Sequence, residues 1–158
     1  MAQPRLAVPD DAPELVRLRR LMFESMLIDT SAPGWAAAAE AHLRAALAGD
    51  GVVGVVVDAE DGRLAASGVI ELLTRIPSPF NPSGRVAYIS TMSTDLPWRR
   101  RGLGRAVLAR LLAEARVREV RRVELHATPD GAALYEPVGF TPRDAGLEMR
   151  LELGAAAS

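Results

Sequence analysis

A short segment rich in arginine and glycine, residues 99–105, constrains this chain more than any other, because it joins a predicted strand directly to a predicted helix. The strand is expected over residues 85–94, and apolar residues at helical spacing predict a helix that begins near Leu103. The first-turn amides of a helix have no acceptors within the helix, and the helix dipole adds positive charge there. Gly102 and Gly104 let a ligand approach that backbone. Four arginines add charge and donors: Arg99, Arg100, Arg101 and Arg105. The segment therefore predicts a site for a multiply charged anion such as a pyrophosphate.

The charged residues are unevenly distributed and of unusual type. Nine arginines and two glutamates lie between Arg99 and Arg122, a segment charge of +7 in a chain whose net charge is −1. All 19 basic residues are arginine, which excludes a Schiff-base lysine and the lysine of a P-loop. Cysteine is absent, and the two histidines, His42 and His126, are far apart, so no metal site is predicted. Aromatic residues make up only 4% of the chain and no nucleic-acid-binding motif is present, so we expect no nucleic-acid partner.

The order of the predicted elements indicates a mixed α/β protein, and the length of 158 residues predicts a single domain over 1–158. An Asp61-Gly62 turn predicts an antiparallel hairpin early in the chain, and a strand–helix–strand crossover is expected later. Helices are predicted at about 12–27, from Pro33 to Leu47, from Leu103 onward, and from Thr128 or Asp130 to about Glu136. Strands are predicted at 52–58, 64–74, 85–94, 123–127 and 147–153.

Two segments carry a resemblance to a known family. Arg99-x-x-Gly102-x-Gly104 after a strand resembles the acetyl-CoA-binding motif of the GNAT N-acetyltransferase superfamily, and residues 134–140 are similar to that family's Leu-Tyr-Glu-x-x-Gly-Phe ending. The resemblance covers nearly the whole chain. It implies a GNAT fold: a mixed six- or seven-stranded sheet with helices on both faces and a splayed central strand pair that forms the CoA cleft. It also implies a β-bulge near Thr91 to Ser93.

The resemblance further implies which residues bind acetyl-CoA, the expected cosubstrate. The pantetheine arm would lie along the end of the strand, at Met92, Ser93 and Thr94. Thr128 occupies a position where many relatives have an asparagine that contacts the cofactor. Backbone amides of the basic segment would hold the pyrophosphate: Arg99, Arg100, Arg101, Gly102, Leu103, Gly104 and Arg105.

Catalysis by such a protein needs a general acid and a way to deprotonate the amine. Tyr135 falls on the family's usual general-acid tyrosine, and a phenol can hold a proton at pH 7 and still donate it to a thiolate. For the base three alternatives stay open: Glu71, a lone charge in an apolar strand; His126; and deprotonation through water. The strand over 85–94 lacks the glutamate that many family members use there as base.

The resulting hypothesis is an acetyl-CoA-dependent N-acetyltransferase that transfers the acetyl group directly to an amine, since no cysteine is present to form an acetyl-enzyme. The alternative is a CoA- or nucleotide-sensing module without catalysis. The acceptor would be a small-molecule or peptide amine, with Met22, Phe23, Met26 and Trp35 as candidate pocket walls. We expect a cytoplasmic protein without a membrane segment, because the longest apolar run is short and no signal-peptide pattern is visible. The sequence is also compatible with assembly into a homodimer.

Overall fold

The computed structural model describes residues 3–143 and 149–154. The helices are α1 (Ala12–Ser25), α2 (Trp35–Leu47), α3 (Leu103–Val117) and α4 (Ala132–Tyr135), and short 3₁₀ turns lie at Pro9–Asp11, Leu96–Trp98 and Glu136–Val138. The strands are β1 (Arg5–Leu6), β2 (Val52–Asp58), β3 (Leu64–Thr74), β4 (Arg85–Thr94) and β5 (Val123–Leu125).

The strands form one mixed sheet in the order β1-β2-β3-β4-β5. The first four strands pair antiparallel, and β4 pairs parallel to β5 after the crossover through α3. The predicted hairpin and the predicted late crossover are therefore both present. Within the residues that the structure describes the sheet has five strands, so the expected count of six or seven is not confirmed.

Helices cover both faces of the sheet, and a core cluster lies on each face. Successive valines of β2 point to opposite faces, which is why this strand reads as a continuous apolar run. The cluster under α3 includes Val53, Val55, Val57, Leu108 and Leu111. The cluster under α1 and α2 includes Leu15, Leu18, Leu43, Val52 and Val56. None of the helices in the described residues is long and apolar enough to cross a membrane.

Close packing of α3 on the sheet depends on a glycine of β3. A Cβ added at Gly68 would lie 2.5 Å from Leu111 Cδ1, 2.7 Å from Val107 Cγ1 and 2.8 Å from Met92 Sδ. We expect Gly68→Ala to lower the free energy of unfolding by about 1–3 kcal/mol, because these side chains must move apart. Gly51→Ala is the control, since a Cβ there meets no atom within 4 Å. Urea unfolding of both variants measures the difference, and equal stabilities would contradict this account of the packing.

Two features near the chain ends differ from the sequence prediction. β1 was not predicted; its two residues pair with Val55 and Val56 of β2, and Arg5 forms ion pairs with Asp11 (2.8 Å) and Asp58 (2.7 Å). The strand predicted over 147–153 is wrong for residues 149–153, which belong to no strand, and its first two residues lie outside the described residues. An alternating sequence forms a strand only when a neighbouring strand supplies hydrogen-bond partners.

Several predicted boundaries also shift. The first helix ends at Ser25 rather than near residue 27, and β5 ends at Leu125 rather than at 127. The last helix is one turn, α4, that continues as a 3₁₀ turn. Its N-cap is Gly131, so neither Thr128 nor Asp130 caps it as predicted. Thr128 Oγ1 instead accepts a hydrogen bond from the backbone N–H of Gly131 at 3.1 Å, in the turn that precedes the helix.

Candidate functional site

The sheet opens between β4 and β5. The two strands pair only from Ala87 to Ile89, opposite Val123 to Leu125, whereas β4 continues to Thr94. A bulge lies at the point of separation: Ile89 pairs with Ile70 of β3 but Thr91 pairs with Val69, so Ser90 has no partner in the register. The bulge was expected near residues 91–93 and occurs immediately before them. Residues 91–94 of β4 are therefore paired with β3 on one edge and not with β5 on the other.

A cavity of about 670 Å³ lies beside this free edge of β4 and extends to the first turn of α3. We call it the cleft. Its walls come from the end of β4, the segment before α3, the start of α4 and the C-terminal end of α1. Its lining residues are Met22, Ser25, Met26, Leu27, Met92, Ser93, Thr94, Arg99, Arg100, Gly102, Leu103, Gly104, Thr128, Asp130 and Gly131.

Polar contacts hold the segment between β4 and α3 in place. Asp95 accepts a hydrogen bond from the backbone N–H of Leu96 at 2.8 Å and forms an ion pair with Arg17 of α1 at 2.8 Å. Arg99 Nε donates to the carbonyl oxygen of Thr94 at 3.1 Å. The segment is thus tied both to α1 and to the end of β4, so it presents the start of α3 to the cleft in a defined orientation.

The backbone at the start of α3 leaves room for a ligand. Gly102, the N-cap of α3, has a left-handed φ of 79°, and a Cβ added there meets no atom within 4 Å. Arg100 also adopts a left-handed φ of 61°, an unfavourable conformation for a residue with a side chain that is often found at ligand sites. A Cβ added at Gly104 would be 3.7 Å from Leu134 Cδ2 and 3.9 Å from Thr94 Oγ1, which is ordinary contact. The open backbone, the N-terminal amides and the nearby arginines together fit a pyrophosphate group.

The cleft brings together nine of the eleven residues predicted to bind the cosubstrate. The two others are Arg101 and Arg105. The guanidinium of Arg101 stacks on the ring of Trp98 at 4.8 Å, and Arg105 is exposed on α3. Arg101 and Arg105 were predicted to bind through their backbone amides. The positions of their side chains do not test that prediction.

Tyr135 is not among the lining residues of the cleft, but it lies next to one of them. Its ring packs edge-on against Phe140 at 5.7 Å between centroids, and a Cβ added at the cleft residue Gly131 would lie 3.7 Å from its Cε2. Burial raises the pKa of the Tyr135 phenol above its ordinary value. The phenol therefore keeps its proton at neutral pH, as a general acid must.

The two candidate bases lie on one face of the sheet, on either side of Tyr88. Glu71 of β3 is the cross-strand partner of Tyr88 in β4, so the two side chains share a face. The hydroxyl of Tyr88 is 2.9 Å from Nδ1 of His126, which follows β5. The described lining of the cleft includes neither Glu71 nor His126. The structure thus places both candidates around Tyr88, in the part of β4 that is still paired with β5, and does not decide which of them is the base.

The predicted acceptor walls divide into two pairs. Met22 and Met26, on the C-terminal half of α1 and just after it, line the cleft. Phe23 and Trp35 instead pack against each other, with ring centroids 5.9 Å apart. Sequence reasoning missed Ser25, Leu27, Asp130 and Gly131 as lining residues, because short polar residues and exposed leucines carry no local signal for a cavity.

Comparison with known proteins agrees with this geometry. The sequence model of the acetyltransferase (GNAT) family matches residues 15–140, most of the chain. The chain belongs to the GNAT family. Membership supports acetyl transfer from acetyl-CoA to an amine, the chemistry that the sequence predicted.

Individual GNAT relatives extend the comparison. The chain is 35% identical over 100 residues to glucosamine 6-phosphate N-acetyltransferase 1 of Oryza sativa subsp. japonica, a match that covers 63% of this chain and 59% of the relative. This chain thus matches about three-fifths of that protein's length. Among solved structures, a predicted acetyltransferase from Clostridium acetobutylicum, crystallised with acetyl-CoA, superposes with a TM-score of 0.86 at 25% identity, over 95% of this chain and 96% of that one. A GCN5-related N-acetyltransferase from Ralstonia eutropha JMP134 gives a TM-score of 0.79 at 27% identity, over 95% and 99%.

Proposed function

We propose that this protein is an acetyl-CoA-dependent N-acetyltransferase in which the cleft binds the cosubstrate and the acetyl group passes directly to an amine. The observation that carries the proposal is that a single cavity joins the free edge of β4 to the open first turn of α3. That arrangement suits a long ligand with a polar, amide-containing arm at one end and a pyrophosphate at the other.

In the proposed complex the first turn of α3 binds the pyrophosphate through backbone amides, with Arg99 and Arg100 as additional donors. Met92, Ser93 and Thr94 offer the free edge of β4 to the amide groups of the pantetheine arm. Such pairing resembles the addition of a strand to a sheet edge, in which main-chain hydrogen bonds provide affinity. Thr128 lines the same cleft, although its Oγ1 already accepts the N–H of Gly131.

The proposed reaction forms a C–N bond between the amine and the acetyl carbon and breaks the C–S bond of the thioester. Tyr135 donates its phenolic proton to the departing thiolate, and the amine loses a proton to the base. Glu71, His126 and water stay open as that base. The hydrogen bond between Tyr88 and His126 and the pairing of Tyr88 with Glu71 support a role for this side of the sheet in accepting the proton.

The acceptor is proposed to be a small-molecule or peptide amine. Glucosamine 6-phosphate, the substrate in the name of the rice relative, is the first amine to test, alongside polyamines, aminoglycosides and peptides with free N-termini. The cytoplasmic location and the homodimer stay predictions.

The experiment that tests the function measures free thiol released from acetyl-CoA in the presence of each amine. Calorimetric titration with CoA runs in parallel on the same protein. We expect micromolar binding and amine-dependent thiol release with at least one class. Tight binding without turnover on any amine would favour the sensing module, and the absence of binding would contradict both hypotheses.

One arginine provides a graded test of how the pyrophosphate is held. We expect Arg100→Ala to weaken CoA binding by about tenfold, because it removes one charge-assisted hydrogen bond of roughly 1–2 kcal/mol and leaves the backbone amides in place. Arg121→Ala is the matched control, since Arg121 is exposed outside the cleft and its loss removes the same charge. Calorimetry measures both. Complete loss of binding in Arg100→Ala would show that side chains rather than amides hold the anion.

A further inference from the structure

The bulge that opens the cleft is held by a side chain from α1. Arg19 reaches across to β4, where its Nη1 donates to the carbonyl oxygen of Ser90 at 2.9 Å and to Oγ1 of Thr91 at 2.7 Å. Ser90 is the residue that the register with β3 skips, and Thr91 is the first residue after it. The two bonds therefore meet the strand at the point where it leaves β5.

The surroundings of Arg19 restrict its position. Its guanidinium stacks on the ring of Phe23 at 4.7 Å, and Thr91 is only 4% exposed. Burial lowers the pKa of Arg19, and the proximity of Glu71 on β3 and of Tyr88 on β4 acts in the opposite direction. A partly buried arginine that donates to a buried hydroxyl and a backbone carbonyl is costly to remove, because both acceptors lose their partner.

We propose that Arg19 is a positioning residue that holds the β4 bulge and thereby sets the free edge, residues 92–94, to which the cosubstrate binds. The expected effect of Arg19 on CoA binding rests on the proposed function. The effect of Arg19 on β4 follows from its hydrogen bonds to that strand alone. The sequence pattern does not reveal this role, because Arg19 lies in a helix among other arginines. Its partners, Ser90 and Thr91, are more than 70 positions away in the sequence.

The neighbouring residue offers a matched control. Arg20 also stacks on an aromatic ring, that of Trp35 at 4.8 Å, and also donates to a backbone carbonyl, that of Thr30 at 3.0 Å. These contacts hold the connection between α1 and α2 and do not touch β4. Arg19→Met and Arg20→Met therefore remove the same charge and the same kinds of contact from adjacent positions of one helix.

Two measurements follow on the purified protein: the dissociation constant of CoA by calorimetry, and the hydrogen-exchange rates of the amides of residues 91–94 without ligand. We expect Arg19→Met to weaken CoA binding by at least about tenfold and to accelerate exchange in this segment by at least about tenfold. The loss of one charge-assisted hydrogen bond corresponds to roughly that factor, and Arg19 donates two to β4. Arg20→Met should leave both quantities within about twofold of the wild type. Arg19→Lys, which keeps the charge, should restore most of the binding.

Thr91→Val tests the same contact from the side of β4, since valine has nearly the shape of threonine and lacks the hydroxyl that accepts the hydrogen bond from Arg19. We expect it to accelerate exchange in the wild-type background and to add nothing in the Arg19→Met background, because both changes break the same contact. If Arg19→Met does not fold, the comparison of Thr91→Val and Arg19→Lys with Arg20→Met decides the question.

The outcomes separate the two levels of the proposal. Equal exchange rates and equal CoA affinities in the Arg19 and Arg20 variants would overturn the positioning role. Faster exchange without CoA binding by any variant, the wild type included, would support the role of Arg19 at the bulge and refute the proposed function. Faster exchange with unchanged CoA affinity would overturn the link between the bulge and the ligand.

Discussion

Turnover in Tyr135→Phe should fall by about 10²–10⁴-fold while the Michaelis constant for acetyl-CoA changes little. The substitution keeps the ring that packs against Phe140 and removes only the proton donor, and general acid catalysis is worth a factor of that order. Steady-state kinetics and melting temperature on the same preparation measure the effect. Turnover within about threefold of the wild type would remove Tyr135 from the mechanism.

The pH profile tests the same residue independently. A general acid must be protonated, and burial raises the pKa of Tyr135 above the ordinary phenol value of about 10. Loss of activity through its ionisation is therefore expected only above about pH 10, and this alkaline decline should be absent from Tyr135→Phe. If activity falls as the pH is lowered through the neutral range, and does so in Tyr135→Phe as well, that loss reports protonation of the general base.

CoA affinity in Gly104→Asp should fall by about 10²–10³-fold. A carboxylate about 4 Å from a phosphate in partly dehydrated surroundings costs on the order of 4 kcal/mol. The fold should tolerate the change, because a Cβ at this position meets its nearest atom at 3.7 Å and an acidic side chain suits the first turn of a helix.

Gly104→Asn and Gly104→Ala separate charge from size at this position. Asparagine has nearly the shape of aspartate, so it should retain most of the affinity that aspartate loses. Calorimetry with CoA and thermal melts of all three variants provide the measurement. Binding by Gly104→Asp equal to that of Gly104→Asn would show that no anion binds at the start of α3.

The fold could be predicted from sequence where local and tertiary signals agree. β2, β3 and β4 have the predicted bounds because their apolar runs are bordered by turn residues such as Asp61 and Gly62. β1 could not be predicted, since two residues carry no periodicity and Arg5 is held by ion pairs with Asp11 and with Asp58, which is far away in the sequence. Residues 149–153 alternate as a strand does, and Met149 and Leu151 are nonetheless exposed at 87% and 81%.

The site could be predicted where a contiguous motif carries it. The segment from Arg99 to Gly104 was found because glycine and arginine at a strand–helix junction have a direct physical meaning. Ser90 gives no sign of a bulge, because a serine in a strand is not restricted in the way that glycine or proline is. Arg19 and the pairing of Tyr88 with His126 depend on contacts between distant parts of the chain, and a single sequence does not contain them.

The free edge of β4 links the abundance of the folded protein to its ligand. The edge exists only while β3 and β4 are paired, so a ligand that adds to it binds the native chain and not the unfolded one. By mass action such a ligand stabilises the native state by about 2.7 kcal/mol when its concentration is 100 times its dissociation constant. On the proposed function, a cell depleted of acetyl-CoA would therefore hold this chain in a more easily unfolded and more readily degraded population than a cell well supplied with it.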